Sequence, residues 1–462
     1  MKAKFSLFTV AAMVCCLSAF AAQNVKKYAV SKNAMLNRFM EYIAIESGSN
    51  EKVPEGVYPM TEGQRQMAAK LAADAKALGA DVTLSEWGYV YVRIPSNISK
   101  GVPSIGISCH LDYTPEVNGK GIKPTVIKSY KGGVIKQGHG VIDPATPFGK
   151  ELPDLIGKTI IHSDGTTLLG GDDKNGCAIS MSAIESVMRK GFKHGELQFV
   201  FCPNEDIGGA AWKIDTTYFN PDIVVDVDMD GGHKVSVANF TASKIDVRFV
   251  GQDAHPSFAK AQHLGDAIAA AATFIARVPL QYRPENTEGK QGYIHPWNLR
   301  CMTCVEGEDE EAEKERKELL AAYGGPAYEV TTRVRYFDKA EGEEFDRIIK
   351  ENIRYIRESF PYVKTTILYE GVQYDNVAYT MHPQSLPLVK KAAARCGVTL
   401  EFEDTRAGTT AAMFTAKGLR GGMCLFSGQH NEHSLQEFSV LEEMYDSYML
   451  LLTMIDEVMN IK

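Results

Sequence analysis

Four short segments of this chain are apolar almost throughout: Pro103–Cys109, Leu197–Cys202, Ile223–Val227 and Gly422–Phe426. A strand with no polar face has to be covered on both sides. Stretches with helical spacing accompany these strands: Met67, Leu71, Ala75 and Leu78 within 61–78, and Ile179, Ala183 and Val187 within 176–190. Buried strands interleaved with such helices predict an α/β sheet with helices on both faces. At 462 residues the chain is long enough for more than one domain.

The pattern changes near residue 240. Ile245, Val247 and Phe249 alternate along 242–250, and a helix is predicted over 265–278. An alternating strand at 328–337, a helix at 342–359 and a strand at 365–370 follow. The order, β-α-β-β-α-β in outline, predicts a small α+β domain at 241–376, inserted into a larger α/β domain made of 22–240 and 377–462. The acidic run Glu306–Glu318 reads as a solvated helix with Glu/Lys pairs.

Lys2 and Lys4 precede an apolar run from Phe5 to Phe20, and Ala19-Phe20-Ala21 offers small residues for a signal peptidase. Residues 1–21 are therefore read as an export signal, which predicts a secreted or periplasmic protein. Cys15 and Cys16 raise a lipoprotein alternative, but Ala12, Met13 and Val14 make a poor lipid-attachment box. No later run is apolar and long enough to cross a bilayer, so stable membrane insertion is not expected. A net charge of −8 with no basic block excludes nucleic acid as an expected partner. Seven cysteines remain beyond the signal, odd in number and scattered, so the chain is no disulfide scaffold. Cys109, Cys177, Cys202 and Cys424 read as small core residues. Cys301 and Cys304 read as two strand residues rather than a redox pair.

Polar residues collect just beyond the apolar strands. His110 and Asp112 follow the first, Glu205 and Asp206 the second, Asp230 the third and His433 the fourth. That edge of an open α/β sheet is where ligands bind. Histidine and carboxylate without thiolate suit zinc, cobalt or manganese. Five ligands with one shared carboxylate would hold two ions ~3.5–4 Å apart in a hydrolytic site. Alternatives stand beside three of these residues. Asp228 is the second choice for the position given to Asp230. Asp173 competes with Asp172 for the bridge, its other role being to cap the helix starting near Asn175. His430 competes with His433. His162, His194, His233 and His295 are given no role.

The segments His110-Leu111-Asp112, Thr167 to Lys174 with its Gly170-Gly171-Asp172-Asp173 core, Asn204 to Gly208, Asp230-Gly231-Gly232, His255-Pro256 and His433 five residues before Phe438 form one ordered set. Together they resemble the tripeptide-aminopeptidase branch of the M20 zinc peptidase family. The resemblance implies a zinc-peptidase-like catalytic domain with a mixed sheet flanked by helices, and an inserted ferredoxin-like lid and dimerisation domain. It implies two zinc ions, with cobalt or manganese as substitutes. His110 and Asp230 would hold one ion, Asp206 and His433 the other, and Asp172 both. Asp112 would orient the His110 ring, and Glu205 would be the general base. His255, Asn376 and Arg406 would bind substrate.

Two positions depart from the family. Asp206 stands where a second glutamate is usual, and Thr410 where the family has aspartate. The predicted function is an exported dizinc aminopeptidase acting on tripeptides or other short peptides, with a homodimer formed through the inserted domain. A dipeptidase, carboxypeptidase or deacylase is the alternative within the same chemistry, and a non-catalytic peptide-binding protein the alternative outside it.

Overall fold

The computed structural model describes residues 22–54, 57–252 and 255–461, so the predicted export signal lies outside the described residues. In chain order, helices α1 (Lys32–Ile43) and α2 (Glu62–Ala77) precede the antiparallel pair β1 (Asp81–Leu84) and β2 (Val90–Ile94). Then come β3 (Ile105–His110), the short β4 (Thr125–Ile127), β5 (Ile135–Lys136) and β6 (Val141–Ile142), β7 (Ile160–His162), α3 (Gly171–Val187), β8 (Leu197–Cys202), β9 (Ile223–Asp230) and β10 (Lys234–Asn239). The inserted part comprises β11 (Thr241–Val250), α4 (Ala267–Ala276), β12 (Tyr293–Cys301), α5 (Glu310–Tyr323), β13 (Ala327–Tyr336), α6 (Lys339–Ser359) and β14 (Lys364–Tyr374). The chain returns through α7 (Ser385–Cys396), β15 (Glu401–Thr405), α8 (Thr410–Phe414), β16 (Gly422–His430), β17 (Phe438–Val440) and α9 (Leu441–Glu457).

The four apolar segments become β3, β8, β9 and β16. They lie side by side and parallel, in the order β8-β3-β9-β16, at the centre of an eleven-stranded mixed sheet. Every residue of β3, β8 and β16 is buried. Phe199, Phe201, Val225 and Val227 pack in one core with α3 and α9, while Val200 and Val224 face a second core with Phe219 and Phe414. Burial of apolar side chains on both faces is what fixes these strands at the sheet's centre. One difference matters below: β9 runs to Asp230, three residues beyond the apolar segment, because β16 continues to pair with it at Met229 and Asp230.

The inserted part is a four-stranded antiparallel sheet of order β12-β13-β11-β14. Phe249, Phe274, Phe345 and Ile349 form its own core beneath α4 and α6. Its fourth strand, β12, has a weak pattern because Pro296 and the polar His295, Asn298 and Arg300 interrupt it; an edge position tolerates the proline. The predicted acidic helix is α5. Cys301 and Cys304 form a disulfide, correcting the reading of two unpaired strand residues: β12 ends at Cys301, and the turn that follows brings the two Cα atoms to 5.5 Å. Among the described residues no helix is long and apolar enough to cross a membrane.

Two asparagines lock the junction between the two sheets. Asn376 accepts hydrogen bonds at Oδ1 from the Asn239 and Ala378 amides and donates from Nδ2 to the Phe337 carbonyl, while Asn239 Oδ1 accepts from the Val377 amide. A second buried polar cluster braces the end of β16. The His430 ring, 4% exposed, lies between Glu151 (2.6 Å) and Glu443 (2.8 Å), stacks on Phe438, and shares Glu443 with Lys158. Burial alone would lower the His430 pKa, but the two carboxylates outweigh it and raise it to about 9. The folded value lies above the unfolded one, so this stabilisation is complete below about pH 6.5 and is lost as pH rises through about 9. Denaturant unfolding at pH 6 and pH 10 is expected to show a loss of order 3 kcal/mol from this group. The His430→Gln variant should lose most of that pH dependence; an unchanged slope in the variant would remove His430 as its source.

Candidate metal centre

The polar residues that follow the parallel strands converge. His110 ends β3, and its Nε2 lies 2.8 Å from Asp172 Oδ1 and 3.6 Å from Asp228 Oδ2. His433 Nε2 lies 3.2 Å from the other Asp172 oxygen and 2.9 Å from Asp206 Oδ1. Asp172 thus turns one oxygen to each histidine, the arrangement a carboxylate needs to join two cations. Donor atoms of His110, Glu205 and Asp228 lie within 4.8 Å of one another, as do those of Asp172, Asp206 and His433.

Local structure explains how each group is held. Gly170 adopts a left-handed conformation (φ 78°), and Asp172 and Asp173 depart from helical geometry before α3 becomes regular. Asp173 caps that helix through the Gly176 amide (2.9 Å) and also accepts from the His110 amide (3.1 Å), so it serves the backbone while Asp172 faces the centre. Glu437, buried, accepts the amides of Leu169, Gly170 and Asp172 and fixes the turn from behind. Asp112 is a hub. It lies 3.5 Å from His110 Nδ1, accepts the Glu205 and Asp206 amides (3.1 and 3.3 Å), and receives the Ser49 hydroxyl. One carboxylate therefore holds the turn carrying Glu205 and Asp206 through its amides and lies beside the histidine ring.

Asp228, not Asp230, reaches His110. The two residues share a face of β9, but two residues of strand rise separate them by ~6.7 Å, so one position alone can meet the ring. Gln429 donates to the Asp228 carboxylate (3.2 Å), whereas Asp230 lies outward, 3.8 Å from Lys234. His430 is committed to Glu151 and Glu443, leaving His433 for the centre.

The electrostatics are those of a site short of positive charge. Burial and then repulsion from Asp172 raise Asp206 to about 7 and Asp228 to about 6. Glu205 is also raised, by burial first and then by Asp228, Asp206 and Asp112. Hydrogen bonding of its ring to the acceptor carboxylates of Asp172 and Asp206 raises His433 to about 11. Asp206 Oδ2 and His110 Nδ1 are buried without a hydrogen-bond partner among the described residues. Clustered buried carboxylates are costly unless cations neutralise them. The oxygen-and-imidazole donor set therefore fits divalent cations.

Asp172, Glu205, Asp206, Asp228 and His433 open into one cleft of about 1140 Å³ between the two sheets. Its inserted-domain wall carries Lys244, Trp297, Arg333 and Arg335, which no sequence motif marked. The three residues expected to bind substrate do not line this cleft. His255 is exposed at a short turn, bonded through Nδ1 to the Ser257 amide, and does not line the cleft. Asn376 is buried, its side chain consumed at the junction described above. Arg406 points away from the centre and donates to the Gly289 and Gln291 carbonyls and to Thr287 Oγ1 of the inserted domain. Thr410 is buried at the start of α8, while Ala407, Gly408 and Thr409 face the cleft.

The model of peptidase family M20/M25/M40 matches residues 162–457. This chain belongs to that family. Peptidase T of Clostridium perfringens is 32% identical over 430 residues, spanning 90% of this chain and 97% of the relative. Peptidase T of Salmonella arizonae is 30% identical over 417 residues, covering 89% and 95%. Among solved structures, aminopeptidase PepT of Bacillus cereus shares the fold at a TM-score of 0.67 and 21% identity, over 93% of this chain and 99% of that one. A dinuclear metal-binding M20 peptidase of Bacillus subtilis shares it at 0.59 and 12%, over 93% and 99%. The two-sheet architecture is thus that of M20 peptidases.

The Asp228 placement has a direct test. Asp228→Asn is expected to lower the divalent metal retained per chain after gel filtration, measured by plasma emission, and Asp230→Asn to leave it unchanged. The opposite pattern would return Asp230 to the centre.

Proposed function

We propose that this M20 chain is an exported dizinc aminopeptidase that removes the N-terminal residue from tripeptides and other short peptides. The carrying observation is that the ligand cluster and Glu205 share one cleft whose walls differ in charge. Around the centre, the catalytic wall adds Glu51, Asp230, Glu403 and Glu432 and offers Lys417 as its cation; the inserted-domain wall offers Lys244, Arg333 and Arg335. A short peptide carries an ammonium at one end and a carboxylate at the other, which suits that polarity. Relatives named peptidase T, alike over nearly their whole length, support the same activity.

In this reading His110 and Asp228 hold one zinc, Asp206 and His433 the second, and Asp172 both. Bound zinc would supply polarisation of the scissile carbonyl and a lowered pKa for the attacking water. Glu205 takes the proton from that water and returns it to the leaving amine. Asp112 keeps the His110 ring and the Glu205 turn in register, so base and ligand stay in fixed relation.

Export is supported by the basic-apolar N-terminal pattern and by the Cys301–Cys304 disulfide, a bond that persists in oxidising compartments. Pairing of two copies through the inserted domain is supported by its edge strand β14, which exposes Leu368, Tyr369 and Val372.

Glu205→Gln is expected to retain metal while kcat on a tripeptide falls at least ~100-fold; near-full turnover would take Glu205 out of the mechanism. N-acetylation of the same tripeptide should abolish cleavage, and unimpaired cleavage would favour a deacylase or carboxypeptidase instead. Protein recovered from the periplasm is expected to begin at Ala22 and to scatter light as a dimer. An intact Met1 would refute export, and a monomer mass the pairing.

A further inference from the structure

The inserted-domain wall holds more positive charge than one peptide carboxylate requires. Thr331, Arg333 and Arg335 alternate on β13 with the buried Val330, Thr332 and Val334, so both arginines project from the same face into the cleft. Across the ladder Arg333 sits directly opposite Lys244 on one side and His295 on the other. Like charges in register destabilise a sheet. Lys244 is relieved by Asp246 at 2.8 Å. Arg335 donates to the Ser243 and Val334 carbonyls. Arg333 has no carboxylate partner among the described residues and instead lies over Trp297, its guanidinium carbon 3.7 Å from the ring centroid.

That stacking is built by the backbone. The β12–β13 register shifts between Pro296 and Asn298, which makes Trp297 the extra residue of a bulge. Bulges re-aim side chains, and here the indole forms a platform that holds a guanidinium with its donor edge free. A single C-terminal carboxylate is satisfied by one bidentate arginine. Two arginines at ~6.7 Å spacing along a strand, the outer one unpaired and pre-oriented, match a ligand end with two carboxylates.

We infer that Arg333 on its Trp297 platform is a specificity-determining residue, and that with Arg335 it selects short peptides whose C-terminal residue is glutamate or aspartate. The inference rests on the aminopeptidase reading. The two carboxylates would be the terminal one and that of the side chain, each taking a charge-assisted pair of hydrogen bonds.

The test compares kcat/KM of the metal-loaded full-length mature enzyme on Ala-Ala-Glu, Ala-Ala-Gln and Ala-Ala-Lys. Ala-Ala-Glu is expected to exceed Ala-Ala-Gln by about tenfold, chiefly through KM, and Ala-Ala-Lys by more. Arg333→Gln should bring the Glu/Gln ratio close to one, and Arg333→Lys should restore part of it; thermal melting verifies that both variants are folded. Equal rates on the Glu and Gln peptides in the parent enzyme, or a preference that survives in Arg333→Gln, would overturn the inference and leave the aminopeptidase intact. Failure to cleave any of the three would overturn both.

Discussion

Repulsion among buried carboxyl groups governs this molecule's functional end. Asp112, Asp172, Asp206, Asp228 and Glu205 crowd around His110 and His433, with Asp173 and Glu437 directly behind. Apolar strands packed on both faces hold these groups close together along one wall of the cleft. The raised carboxyl groups of Asp206, Asp228 and Glu205 register that confinement. Divalent cations relieve it, and the protein spends its backbone hydrogen bonds on keeping the groups in place until they do. The Asp112 hub, the Asp173 cap and the Glu437 tether each fix a carboxylate or its turn through amide donors rather than through other charges.

The second sheet gives this centre a counterpart. Insertion between β10 and α7 places a separately packed body over the strand ends, and its polar face closes the cleft. The two walls divide the labour: carboxylates and imidazoles on the catalytic side, guanidinium and indole on the inserted side.

Much of the fold could be read from the chain because buried parallel strands leave unambiguous apolar runs, and residues at or just beyond their ends converge on the candidate metal centre. Reading failed where geometry depends on a partner strand. The choice between Asp228 and Asp230 turns on how far β16 extends β9, which no local pattern states. Trp297 and Arg333 meet through a bulge, invisible without the ladder. The resemblance marked Arg406 and Asn376 by position alone, and position does not fix direction; both side chains bond at the boundary between the two domains. Glu437 sits among the polar Ser434, Gln436 and Ser439, so no local pattern marks it as a buried acceptor. The lone CxxC gave no sign of its state, because closure depends on the turn that follows β12.

Arg406 carries a mechanical implication. From the catalytic body it grips three oxygens of the inserted one, with its flat face against Phe240 and Tyr293. Water can replace those oxygens when the bodies separate, so the net cost of letting go is only about 1.5–3 kcal/mol per bond to a charged group. Three such bonds together amount to roughly 5–9 kcal/mol, well above thermal energy. The strap therefore reinforces the junction at Asn239 and Asn376 and keeps the arginine-bearing wall set over the carboxylate cluster.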